Sequence, residues 1–150
     1  MKLVIGSDHA GWALKGSVVA HIKSLGHEVV DVGSHDASPV DFPDIARALT
    51  AKVLSGEAER GIMVCGTGVG ASIAANKVRV IRAAVCHDIH SAHQSVEHDD
   101  VNVMCIGAQI IGPWLANDLI GAFLAARFAG DDEDFRRRVA KLHEMDSAFK

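Results

Sequence analysis

Residues 61–70, Gly-Ile-Met-Val-Cys-Gly-Thr-Gly-Val-Gly, run from a continuous apolar stretch straight into a turn holding three glycines in five positions. A short run rich in Val and Ile, apolar on consecutive residues rather than alternate ones, is how a strand buried on both faces of a parallel sheet reads. Four more runs have this form: Lys2–Gly6, Glu28–Val32, Ile81–Cys86 and Asn102–Gly107. Helical periodicity fills the intervals. Leu14, Val18, Ile22 and Leu25 make one apolar stripe, closed by Gly26 as a C-cap. A second helix is expected from Pro43 to Leu54, ending near Gly56, a third after Gly70, and a fourth around His90–Glu97. Leu115, Leu119, Phe123 and Ala126 mark a fifth after Pro113. Phe135, Val139 and Leu142 mark a last one, about 132–146, beyond a break at Gly130–Asp132. Such alternation predicts an α/β fold with a doubly wound parallel sheet and right-handed crossovers. No repeat or linker divides the chain, so residues 1–150 are expected to form a single domain.

Composition narrows the class. The chain has 150 residues, 49% apolar and 23% charged, with 15 Lys+Arg against 19 Asp+Glu, a net charge of −4. A disordered chain would be less apolar and more highly charged. A folded chain of this length buries roughly 70% of its unfolded surface. The mild acidity argues against a nucleic-acid partner, which calls for a basic face. An acid at Asp8, soon after the first apolar run, is unlike a signal peptide, and Asn102, Gln109, Gly112 and Pro113 interrupt the longest uncharged stretches, so no membrane segment is expected. Three cysteines without a CxxC pair do not make a disulfide framework, and the expected location is the reducing cytoplasm.

In open parallel sheets ligands bind beyond the carboxyl ends of the strands. The residues just after the strands are therefore the candidates: Ser7, Asp8, His9, Ala10 and Gly11 after the first, Gly66 to Gly70 after the third, and His87 with Asp88 after the fourth. Glycines at 66, 68 and 70 let backbone N–H groups converge on an anion or oxyanion, helped by the following helix; the alternative is a tight turn with no ligand. The loop is no P-loop, since no Lys-Ser/Thr pair follows, and its spacing is not that of the dinucleotide fingerprint. Cys86 and Cys105 read as buried structural thiols. Cys65 reads either as a third or as a thiol whose pKa is lowered by the adjoining loop, usable as a base or nucleophile. His87, His90, His93 and His98 do not complete a recognised metal spacing, and no metal is expected. His9 and His98, each beside an acid, are the better candidates for proton transfer. Arg136, Arg137 and Arg138 form either a solvated helical face or a bidentate phosphate clamp.

Ser-Asp-His-Ala-Gly at 7–11, Cys-Gly-Thr-Gly-Val-Gly at 65–70 and Ala-Ala-Asn-Lys at 74–77 together resemble one known family. Ile81-Arg82-Ala83, Ser91-Ala92, His98 with Asp100, Asn102-Val103 and Ile106-Gly107 follow in the same order, over about residues 1–145. The chain is similar to ribose-5-phosphate isomerase type B, in the group that includes the galactose-6-phosphate isomerase subunits. The resemblance implies a Rossmann-like three-layer α/β/α sandwich with a five-stranded parallel sheet. It also implies a homodimer or dimer of dimers with active sites shared between subunits, the C-terminal helix packing on the partner. The implied reaction is aldose–ketose isomerisation of a sugar phosphate through a cis-enediolate, without metal or organic cofactor. Carried onto this chain, Cys65 is the base, Thr67 and His98 assist ring opening, and Asp8 and His9 contact the sugar and its phosphate. Backbone amides of Gly66, Gly68, Val69 and Gly70 stabilise the enediolate oxygen.

Three positions depart from the family pattern. Asp99 stands where Asn is usual, Gln109 where Arg is usual, and Asp134 where the first of two tail arginines falls, the second being Arg138. All three changes weaken attraction for a phosphate at positions that would face it. Either Arg136 or Arg137 supplies the missing charge, or the substrate is another pentose, tetrose or hexose phosphate, or a sugar without phosphate. A reading of another class is a sugar-phosphate-binding subunit without catalysis, which the intact Cys65, Thr67 and His98 oppose.

Overall fold

The computed structural model describes residues 1–148. Five strands, β1 (Lys2–Ser7), β2 (Glu28–Asp31), β3 (Arg60–Cys65), β4 (Ala83–Val85) and β5 (Val103–Gly107), form one sheet in the order β2-β1-β3-β5-β4, every pair parallel. Among the described residues six helices complete it: α1 (Trp12–Ser24), α2 (Phe42–Leu54), α3 (Val69–Ala75), α4 (Ile89–Asp99), α5 (Pro113–Ala125) and α6 (Glu133–Ala148). None is long and apolar enough to cross a membrane.

Period-two alternation in the strands sorts the core into two layers. Leu3, Ile5, Ile62, Val64, Met104 and Ile106 pack against α1, α4 and α5. Val4, Met63, Cys65, Val103 and Cys105 point the other way, toward α2 and α3. The three-layer α/β/α architecture expected from the sequence is therefore the one found. Burial on both strand faces holds only for the inner strands. The edge strands β2 and β4 are half-buried at best, because each has one neighbour and a partly covered face. The observed β4 also begins two residues later than the apolar run, since Ile81 and Arg82 lie in the turn before it.

Three stripe positions differ from expectation, the first being Leu115, exposed in the opening turn of α5. Leu25 is the C-cap of α1 and exposed, because Gly26 with φ +83° turns the chain away before Leu25 can reach the sheet. In α6 only Val139 is buried, and Leu142 is exposed, since that helix leans on α4 instead of lying on the sheet. One close approach fixes the entrance to α1. A methyl group on Gly11 would lie 2.0 Å from the Val64 carbonyl oxygen, so only glycine lets this helix start against the end of β3.

Candidate active site

With β1 beside β3 and Ser7 in register with Val64, the residues that follow these strands meet at one point on the carboxyl edge of the sheet. Asp8 and Cys65 are both buried there, and the Cys65 thiol donates a 2.8 Å hydrogen bond to Asp8 Oδ2. The other carboxylate oxygen accepts from the Gly11 amide at 2.9 Å, which holds the Asp8 side chain in one orientation. His9 is exposed beside it, its Nδ1 accepting from the Val40 amide at 3.2 Å. The loop carrying Val40 is anchored further back, where the buried Lys15 ammonium pairs with Asp31 at 2.9 Å and donates to the Ser34 carbonyl.

The electrostatics of Cys65 reverse the expectation from its sequence context. Burial pushes the thiol pKa up, and the hydrogen bond and charge of Asp8 push the same way. The Gly66 and Gly68 amides point at the sulfur and pull the pKa down, as the glycine loop suggested, but they are the weaker influence. In this structure Cys65 is a protonated thiol whose proton is already directed at a carboxylate.

The glycine loop is partly as expected. Gly68 sits at φ +80°, a left-handed conformation that side chains disfavour, and serves as N-cap of α3. The Val69 amide is not free for an oxyanion, because it donates to Thr67 Oγ1 at 3.3 Å. Thr67 itself is exposed. The turn after β5 clamps the loop from the far side: the Ala108 amide donates to the Cys65 carbonyl at 2.8 Å and the Gln109 amide to the Gly66 carbonyl at 3.0 Å. A methyl on Gly66 would lie 3.3 Å from the Gln109 side chain, so this departure from the family pattern does lie over the loop.

The other half of the expected constellation is elsewhere in the fold. His98 and Asp99 close α4, which starts beyond the carboxyl end of β4 and runs back about 16 Å at 1.5 Å per residue. They therefore lie at the amino edge, where Asn102 accepts from the Gly61 amide at the start of β3. The β3 strand alone spans about 20 Å between that edge and Cys65. The His98 ring stacks on Phe135 of α6 at 4.0 Å, which brings the tail arginines to this same edge. There Arg137 pairs with Asp134 at 2.7 Å, Arg138 approaches the same carboxylate at 3.6 Å, and Arg136 donates to the Gly130 carbonyl at 2.8 Å. These contacts are exposed and so cost little to exchange for another anion. A cleft of about 450 Å3 runs along this edge between α6 and β4, bordered by Arg82, Asp99, Leu142 and His143.

Asp8, His9, Cys65 to Gly70 and Gln109 thus form one cluster, and His98, Asp99 and Arg136 to Arg138 another, and the fold of the chain does not bring the two together. His90 and His93 lie on an exposed face of α4, and among the described residues no three His, Cys, Asp or Glu side chains are grouped to hold a metal. The direct contact of Asp8 with Cys65 was not readable from the chain, because it depends on strand order, as does the stacking of Phe135 on His98.

The model of the family described as Ribose/Galactose Isomerase matches residues 3–142. Ribose-5-phosphate isomerase B of Escherichia coli is 43% identical over 129 residues, 86% of this chain and 87% of that protein. D-erythrulose-4-phosphate isomerase of Pectobacterium atrosepticum is 41% identical over 133 residues, 87% of this chain and 86% of that one. The solved structure of Clostridium thermocellum ribose-5-phosphate isomerase B superposes with a TM-score of 0.96 at 43% identity, covering 100% of both chains.

Proposed function

The chain belongs to the ribose/galactose isomerase family, and from that premise we infer a sugar-phosphate aldose–ketose isomerase whose default pair is ribose 5-phosphate and ribulose 5-phosphate. The observation that carries the chemistry is the Cys65 thiol, 2.8 Å from a buried carboxylate beneath a glycine loop. Asp8 takes the thiol proton as substrate binds. The thiolate then removes the C2 proton of the open-chain aldose, and the electron pair forms the C1–C2 double bond while the C1 carbonyl electrons move onto O1. The Gly66 and Gly68 amides, aimed at the sulfur, steady the thiolate, and the Gly70 amide is left for the developing charge on O1, where one well-aimed donor contributes about 3–4 kcal/mol. Transfer of the O2 proton to O1 and return of the carbon-bound proton from Cys65 to C1 yields the ketose, with every proton accounted for. Thr67, exposed at the mouth of the loop, and His98 assist ring opening, and His9 contacts the substrate.

Since His98, Asp99 and the arginines lie at the opposite edge, the complete site forms between two copies related by a two-fold axis, each lending its amino edge to the other's carboxyl edge. Val69, Ile73 and Ile89, exposed on α3 and α4, offer the apolar surface for that contact. In such a dimer α6 packs on the partner and Arg136 to Arg138 reach the phosphate after leaving Asp134.

A second reading rests on Asp134. Its hold on Arg137 and Arg138, with neutral Gln109 over the loop, favours a different aldose–ketose pair within the same reaction class. Incubation with ribose 5-phosphate in deuterium oxide tests the leading reading. Ribulose 5-phosphate carrying deuterium at C1 is the expected result, because a thiol proton exchanges with solvent during the enediolate's lifetime. No turnover of ribose 5-phosphate, but turnover of a tetrose phosphate, a hexose phosphate or an unphosphorylated aldose, would select the second reading. Turnover of none of them would overturn both.

A further inference from the structure

His87 belongs to none of the roles above, yet its side chain closes a gap in the sheet directly behind the glycine loop. The β4–β5 register pairs Ala83 with Val103, Ala84 with Met104 and Val85 with Cys105, so His87 falls opposite Gly107. The strand has ended by then, and the His87 ring fills the place of a strand carbonyl: its Nε2 accepts from the Gly107 amide at 2.9 Å. That acceptor role requires a neutral ring with its proton on Nδ1. Burial of the ring favours this neutral form.

Gly107 is where strand and loop touch most closely. A methyl there would lie 2.6 Å from the Thr67 Cα and 2.7 Å from the Gly66 carbonyl oxygen. The same residue's carbonyl accepts from Ile110 at 2.9 Å and Ile111 at 3.0 Å, and the turn it opens holds the backbone of Cys65 and Gly66 through Ala108 and Gln109. A displacement of Gly107 is therefore passed to the loop without an intervening side chain to absorb it.

We propose that His87 is a positioning residue of the isomerase site, acting through the Gly107 amide to hold Gly66, Thr67 and the Cys65 carbonyl in the reactive arrangement. The proposal rests on the isomerase reading above and adds to it a residue that touches no substrate. Loss of the acceptor leaves a buried amide without a partner, and Gly107 moves toward another one, carrying the loop with it.

The test compares His87→Gln, whose side-chain oxygen reaches the same amide, with His87→Leu and His87→Met, which fill the space without an acceptor. In the two apolar variants kcat for the wild-type substrate is expected to fall about 10–100-fold with KM little changed, the scale of a displaced reacting group, while His87→Gln keeps most of the rate. The pH midpoint for alkylation of Cys65 by iodoacetamide is read on the same proteins, because it does not depend on turnover. It should move up in His87→Leu and His87→Met, as the Gly66 and Gly68 amides lose their aim at the sulfur, and stay in place in His87→Gln. Apolar variants with near-wild-type kcat and an unmoved midpoint would overturn the proposal. So would equal loss in all three folded variants, since the hydrogen bond would then not be what matters. Should the wild type turn over no sugar, the isomerase reading fails by itself, and the alkylation midpoints still decide whether His87 holds the loop.

Discussion

Replacing Cys65 with Ala is expected to lower kcat on ribose 5-phosphate by about 10²–10⁴-fold, the contribution of a positioned proton-transfer group. KM should change little, because in the proposed site the substrate's contacts fall on His9, the loop amides and the opposite edge. The fold should survive. Cys65 lies at the end of β3, where the sheet opens toward the carboxyl edge, and its sulfur is a small part of the α2–α3 core layer. Steady-state kinetics with a thermal melt as control would read both. Turnover within a few-fold of wild type would remove the thiol from the reaction and return Cys65 to the structural role shared by the buried Cys86 and Cys105.

Asp8→Asn is expected to move two observables in opposite directions. Burial still raises the Cys65 pKa in this variant, but the negative charge and the acceptor that add to it are gone, so the midpoint for thiol alkylation falls. More thiolate is then present at neutral pH. The isomerisation rate nevertheless drops, by about 10²-fold or more, since the neutral amide cannot take up the thiol proton in the substrate complex. An amide retains an oxygen able to accept from the Gly11 N–H, so the local turn is kept. A variant with a lowered midpoint and an unimpaired rate would show that Asp8 only shields the thiol. An unmoved midpoint would show that the carboxylate is not what holds it protonated.

The fold was legible because its signals are local. Runs such as Ile62–Val64 and Met104–Ile106 are apolar without interruption, and the segments between them have helical period, so a parallel sheet covered on both sides was the arrangement that accommodated both. Edge effects were not legible, since nothing in Glu28–Asp31 says that β2 has one neighbour. The site divides in the same way. The glycine loop declared itself through Gly66, Gly68 and Gly70. The state of Cys65 did not, because it is decided by Asp8, 57 positions away in the chain and adjacent only through the order of the strands. Sequence context weighed the loop amides and missed the burial and the carboxylate that outweigh them. His98 was recognised by the company it keeps along the chain, yet its distance from Cys65 follows from the direction of α4, which only the assembled sheet shows.

The proposed sharing of the site between two copies makes the mixed-subunit experiment the most direct test. Cys65→Ala and His98→Asn, each inactive alone, are unfolded together and refolded at equal amounts. Random pairing makes half the dimers mixed, and each mixed dimer has one site with both residues intact, so about a quarter of wild-type activity should return. No recovery in a preparation where mass spectrometry finds mixed dimers, or full activity from a wild-type chain that remains monomeric, would contradict a shared site.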